Sequence, residues 1–135
     1  MQSKLVIHLI YHSPSKVKAT VEAVKTRYPG RELVACLELH TYSSLSKDFL
    51  PLYHETLKDA TYAFVYFNPH AVALKKLQPV SEEMVKDSFG GSNIRVYSNS
   101  ADLFSSINEL RLDNPVYLFM SSGDFDGYDI KTVLR

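Results

Sequence analysis

Apolar residues along this chain fall into short, nearly uninterrupted runs, and most runs end in a cluster of polar or turn-forming residues. Leu5–Tyr11 is apolar and β-branched apart from His8, and predicts a first strand. Ser13-Pro14-Ser15 then has the form of a helix start, with serine at the cap and proline at the first helical position. The helix it opens puts Val17, Val21, Val24 and Tyr28 on one stripe and turns Lys18, Glu22 and Lys25 outward; Pro29-Gly30 stops it. Glu32–Leu39, Tyr62–Phe67, Ile94–Tyr97 and Val116–Met120 predict further strands. Between them, Leu45–Leu57 is amphipathic through Leu45, Phe49, Leu52 and Leu57, with Pro51 demanding a kink or two shorter helices. Asn68–Val80, which carries Lys75 and Lys76, is a longer connection with room for one helical turn. Ser81-Glu82-Glu83 opens a helix that Gly90-Gly91 ends, and Ser100–Leu110 predicts the last one.

Strands that read as continuous apolar runs are buried on both faces, as in parallel sheets covered by helices. The first strand–helix–strand unit is long enough for a parallel crossover, and such crossovers are right-handed almost without exception. The alternation of strand and helix, with no repeat or linker, predicts one domain over residues 1–135. Its class is α/β: a doubly wound, mostly parallel open sheet of about five or six strands with helices on both faces.

In an open sheet of this kind, ligands bind beyond the carboxyl ends of the strands. Four of the predicted strands run straight into polar clusters there: Tyr11-His12-Ser13, His40-Thr41-Tyr42-Ser43-Ser44, Tyr66-Phe67-Asn68, and Ser121-Ser122-Gly123-Asp124-Phe125-Asp126-Gly127. The glycines of the last cluster allow positive φ and close backbone approach. His12 can donate to a phosphate or ribose, or pack beside the helix start. Asp124 and Asp126 can meet a cation or an ammonium group, or serve as turn residues. His40 and Tyr42 can aim a polar tip at a ligand, or form a solvated rim.

Composition narrows the function classes. With 135 residues, 45% apolar and 22% charged, the chain can bury a core without metal or disulfide. Its 15 basic and 15 acidic side chains cancel, so no global field draws nucleic acid or an anionic membrane, and neither is expected as a partner. Cys36 is the single cysteine and sits in an apolar run, which excludes an intramolecular disulfide, predicts a buried, inert thiol and favours a reducing compartment. No apolar run approaches the ~20 residues of a membrane span. The start lacks the apolar segment of a signal peptide, so a soluble, cytoplasmic protein is expected. There is no G-x-x-x-x-G-K-[ST] loop, no G-x-G-x-x-G after the first strand and no G-x-S-x-G elbow. No histidine pair has metal-ligand spacing on a helix face, His54 is expected in solvent, and no residue is assigned a catalytic or metal-binding role.

Three segments, in their order and spacing, resemble the C-terminal domain of the Mur ligases. These are Tyr11-His12-x-Pro14 after the first strand, Leu39-His40-Thr41-Tyr42-Ser43 after the second, and Met120–Gly127 after the last. The likeness runs from about Leu5 to Leu134, with the murein peptide ligases as the nearest branch, and the pattern Arg27-Tyr28-Pro29-Gly30-Arg31 adds to it. It implies a Rossmann-like domain of an ATP-dependent, amide-forming ligase acting on UDP-N-acetylmuramate in peptidoglycan biosynthesis or recycling, in the bacterial cytoplasm. In that family the first domain holds the UDP-sugar, the central one holds ATP and Mg2+, and the third closes over both. The implied partners are therefore upstream Mur ligase domains, UDP-N-acetylmuramate and a peptide or amino acid. No cofactor and no turnover are expected of the isolated domain. Carried across by residue, Tyr11, His12 and Pro14 face the nucleotide. His40, Tyr42 and Ser43, with Ser121, Ser122, Asp124, Phe125 and Asp126, face the substrate. Three departures stand out. Leu9, Ile10 and Tyr11 replace an aspartate, a tyrosine and an alanine, removing the carboxylate for the ribose hydroxyls. Thr41 and Ser44 stand where the L-alanine ligases carry arginines, and Asp124 and Asp126 replace glycines. The first departure leaves an alternative: a non-catalytic ligand-binding module with a ligase-like fold.

Overall fold

The computed structural model describes residues 4–10 and 13–134. Tyr11 and His12, both expected to face a nucleotide, lie outside the described residues. Strands β1 (Leu5–Leu9), β2 (Leu33–Leu39), β3 (Tyr62–Phe67), β4 (Ile94–Tyr97) and β5 (Val116–Met120) form one sheet in the order β1-β5-β2-β3-β4. Every pairing is parallel, with Glu38 opposite Tyr66 and Leu37 opposite Met120. The helices are α1 (Pro14–Arg27), α2 (Pro69–Leu74), α3 (Glu82–Phe89), α4 (Ser100–Asn108) and α5 (Ile130–Val133). None of the described helices is long and apolar enough to cross a membrane.

Strand order explains the layers. From β1 the chain steps across the sheet to β2, β3 and β4 in one direction, then reverses to reach β5. Right-handed crossovers put connections of one direction on one face and the reversed connection on the other. Accordingly Val17, Val21 and Val24 of α1 and Val85 and Phe89 of α3 share a first core with Leu33, Ala35, Leu37 and Leu39 of β2. Leu103, Phe104 and Ile107 of α4 share a second core, on the opposite face of the sheet, with Val34 and Cys36 of β2. Apart from Glu38, both faces of β2 are thus apolar, which is why it reads as a nearly unbroken run; each fully buried aliphatic side chain there contributes roughly 1.5–3 kcal/mol. Because β2 and β5 are neighbours but send their loops to opposite faces, a crevice opens at their carboxyl ends.

Several local expectations change. Leu45–Leu57 is no α-helix: it is a series of turns around a short 3-10 segment, Leu50–Tyr53. Pro51 lacks the donor an α-helix needs and clashes with the preceding turn, and Glu55 takes a left-handed φ of 63°. Leu52, expected on the apolar stripe, is 61% exposed, while Tyr53 turns inward and stacks on Phe89 at 5.0 Å. The first strand is shorter than expected, ending at Leu9, and Ile10 is 76% exposed. Ser13 occupies the cap position of α1 but makes no side-chain capping bond, so Pro14 at the first turn carries the start. Ser81 does cap α3, donated to by the Met84 amide at 3.1 Å. The 3-10 turn Phe125–Gly127 and helix α5 complete the chain after β5; neither was expected.

Candidate functional site

The carboxyl ends of β2, β3 and β5 converge on one set of polar groups. Glu38, on the second-core face of β2, is buried, with 1% of its surface exposed. Its Oε1 accepts from Ser121 Oγ at 2.5 Å and from the Phe125 amide at 3.0 Å. The Gly123 amide donates to Ser121 Oγ at 2.7 Å. At the end of β3, Tyr66 donates its phenolic hydrogen to Asp126, and Asn68 Nδ2 donates to the other Asp126 oxygen at 3.3 Å. Burial first, and the Asp126 hydrogen bond second, hold the Tyr66 phenol well above its ordinary range, so it stays a donor at physiological pH.

His40 is half-buried directly after β2, and its ring lies against Gly123: a Cβ added there would meet His40 Cγ at 2.8 Å. Tyr42 and Ser43 are exposed and line an open cleft of about 250 Å³ with Ser46, Asp48 and Phe49. Thr41 and Ser44 are turned onto each other, with Thr41 Oγ1 donating to Ser44 Oγ at 3.0 Å and the Ser44 amide donating to Thr41 Oγ1 at 3.2 Å. They build the loop rather than its ligand face. Asp124 and Asp126 are exposed, and Ser122 is half-buried with its Oγ shielded from solvent and without a hydrogen-bond partner.

Two residues expected to meet substrate are placed elsewhere. Phe125 is fully buried, T-shaped against Phe119 at 5.6 Å and against Phe104 at 6.3 Å. Ser121 is fully buried on Glu38. Both are supports of the loop, not parts of its surface. Pro14 is half-buried at the first turn of α1. Leu9, where the resemblance led to the expectation of a lost aspartate, is half-buried and packs against the first core.

Glu38 was not singled out from the sequence. Its signal was a lone acidic residue inside Leu33–Leu39, two positions from Cys36 and therefore on the same inward face. Burial, and the Glu38 charge to a lesser degree, push the Cys36 thiol up, in keeping with an inert core cysteine. Among the described residues, no three His, Cys, Asp or Glu side chains gather to hold a metal ion.

Fold and site together define a doubly wound, all-parallel α/β domain with its polar loops at a switch-point crevice. No family model matches the chain. It is 30% identical over 119 residues to the UDP-N-acetylmuramate–L-alanine ligase of Lactobacillus johnsonii, which covers 87% of this chain and 25% of the relative. The enzyme of the same name from Streptococcus gordonii is 32% identical over 124 residues, again 87% of this chain and 25% of the relative. Among solved structures, a murein peptide ligase from Psychrobacter arcticus superposes with a TM-score of 0.72 at 19% identity, covering 98% of this chain and 28% of that one. A single domain assigned to a UDP-N-acetylmuramate:L-alanyl-gamma-D-glutamyl-meso-diaminopimelate ligase of Haemophilus ducreyi superposes with a TM-score of 0.62 at 21% identity. It covers 97% of this chain and 89% of that one. Over most of its length the chain is thus homologous to a part of these Mur ligases, and it has the fold of a murein peptide ligase domain. It spans about a quarter of the length of the curated relatives it matches.

Proposed function

We propose that this chain acts as the C-terminal, substrate-closing domain of an ATP-dependent ligase that joins an amino acid or peptide to UDP-N-acetylmuramate in peptidoglycan biosynthesis or recycling, in the bacterial cytoplasm. The observation that carries the reading is one of extent: the likeness covers 87% of this chain but only 25% of an L-alanine ligase, while a domain solved by itself is covered to 89%. The isolated domain is then one of three and does not turn over alone. In this reading His40, Tyr42, Ser43, Ser122 and Asp124 present the amine-bearing substrate to the activated carboxyl carbon. An exposed carboxylate such as Asp124 favours an ammonium group by simple charge attraction. Asp126 shapes the same rim from its contacts with Tyr66 and Asn68.

The described part of the turn after β1 does not fit a nucleotide site. Leu9 packs against the first core and Ile10 is an exposed apolar side chain, so neither supplies a carboxylate for ribose hydroxyls. ATP and Mg2+ fall to the upstream domains, which are also this domain's partners. Pro14, with Tyr11 and His12 before it in the sequence, keeps its nucleotide-facing assignment only through the family likeness.

The half-buried, apolar Leu9 also favours a second reading, in which a ligase-like domain has become a non-catalytic ligand-binding module. Calorimetry with a non-hydrolysable ATP analogue separates the two. A three-domain ligase containing this domain binds the analogue with the affinity of its relatives under the first reading, and far more weakly under the second.

A further inference from the structure

We infer that Glu38 is the positioning residue of the loop after β5: its buried carboxylate holds residues 121–127 in the one conformation that sets Gly123, between Ser122 and Asp124 in the chain, against His40. The inference rests on the proposed function only for the identity of what that edge meets.

A carboxylate removed from water is costly unless its oxygens are hydrogen-bonded or paired with a cation. Glu38 is 1% exposed, and among the described residues no lysine or arginine pairs with it. A single oxygen, Oε1, instead receives Ser121 Oγ at 2.5 Å and the Phe125 amide at 3.0 Å, donors four residues apart on the same loop. Ser121 Oγ in turn receives the Gly123 amide at 2.7 Å. One acceptor thereby ties the beginning, middle and end of the turn. Hydrogen bonds donated to an ionised acceptor are about twice as strong as those between neutral groups.

The backbone after this tie needs holding. Phe125 and Asp126 take left-handed φ values of 51° and 59°, a region that residues with a side chain avoid. Such conformations persist where surrounding contacts over-determine them. Here the Phe125 ring is wedged against Phe104 and Phe119, its amide is held by Glu38, and Asp126 is held by Tyr66 and Asn68.

Gly123 links this tie to the ligand edge. A Cβ at that position would lie 2.9 Å from Glu38 Oε1 and 2.8 Å from His40 Cγ, so the loop backbone is pressed between the buried acid and the imidazole. A loop released from Glu38 changes its spacing to His40. Holding it in advance removes the ordering cost that binding would otherwise carry. Glu38 acts through the loop and does not touch the ligand.

Amide hydrogen exchange on the 135-residue chain tests this. Glu38→Met keeps the side-chain length and removes the acceptor; Glu38→Gln keeps an acceptor oxygen and removes the charge. Glu38→Met is expected to speed exchange at Gly123 and Phe125 by about tenfold or more, with the β2 and β5 amides unchanged and Glu38→Gln restoring most of the protection. Equal acceleration across β2, β5 and the loop, or no acceleration at Phe125, overturns the inference. If Glu38→Met does not fold, Ser121→Ala carries the test: faster exchange confined to the loop supports the tie, and wild-type exchange overturns it. In a multidomain ligase carrying this domain, Glu38→Met is further expected to raise KM for the amine substrate and not for ATP. A loosened loop with unchanged amine KM leaves Glu38 in its positioning role and sinks the proposed substrate edge.

Discussion

The phenol of Tyr66, at the end of β3, donates a hydrogen bond to the carboxylate of Asp126, a residue of the loop after β5 that lies 60 positions later in the chain. Asn68, two residues beyond Tyr66, reaches the same carboxylate and also caps α2 by accepting from the His70 amide at 2.8 Å. The third strand and the last loop are therefore fastened together across the mouth of the crevice. The two acids of this loop have different roles as a result. Asp126 is engaged by the protein, and Asp124 stands exposed on the rim.

Removing that fastening lowers stability by about 1 kcal/mol, the net worth of a typical protein hydrogen bond. Tyr66→Phe keeps the ring in the second core and deletes only the donor. The expected result is a lower urea midpoint with an unchanged slope. An unaltered midpoint would show that the contact carries no net energy.

Phe125 and Tyr42 were assigned the same role from sequence, yet one is fully buried and the other 62% exposed. Phe125→Ala should cost about 3–5 kcal/mol, as emptying an aromatic core site does. Tyr42→Ala should stay within about 0.5 kcal/mol, as exposed positions do. Comparable losses for the two variants contradict the buried placement of Phe125.

Gly123→Ala introduces a methyl group at 2.8 Å from His40 Cγ and 2.9 Å from Glu38 Oε1. Overpacking of this kind costs roughly 1–3 kcal/mol. The His40 ring resonances should shift with it, while those of His54 stay in place. Unchanged His40 resonances would mean that the loop and imidazole are not in contact.

Stability should fall in alkali. Burial raises the Cys36 thiol, with the Glu38 charge adding to it, and burial likewise raises the phenols of Tyr53, Tyr66 and Tyr117. In each case the folded state keeps its proton after the unfolded state has lost it. The stabilisation is complete below the unfolded value and is lost as pH climbs above it, from about 8.5 for the thiol and about 10 for the phenols. Denaturant midpoints measured across that range should decline in two stages, and Cys36→Ala should abolish the first. A midpoint constant to pH 11 contradicts the burial of these groups.

Strands β2, β3 and β5 were legible because parallel strands covered on both sides cannot hide their composition: apart from Glu38 in β2, their positions are apolar or aromatic. The carboxyl-edge clusters at His40–Ser44 and Ser121–Gly127 were legible for the complementary reason, that the chain changes character where it leaves the core. Direction within a loop was not. Nothing local distinguishes Phe125, wedged under Phe104, from Tyr42, standing in solvent, since both follow a strand and neighbour polar residues. Glu38 stayed hidden because an apolar run tolerates one charged member only when partners arrive from far along the chain, here Ser121 and Phe125. The segment at Leu45–Leu57 failed differently: its leucine spacing suits a helix, but Pro51 and the left-handed Glu55 divide it into turns.

If the loops after β2 and β5 meet the amine substrate of a ligase, the kinetics of a chimaera register it. The matching quarter of the Lactobacillus johnsonii ligase is replaced with this domain and amide formation followed, with and without His40→Ala, Tyr42→Ala and Asp124→Ala combined. The chimaera is expected to form an amide. The triple variant is expected to raise KM for the amino acid or peptide by about tenfold or more, as lost hydrogen bonds to a charged group would, with KM for ATP unmoved. A chimaera whose amine KM and kcat are indifferent to all three substitutions would contradict that contact.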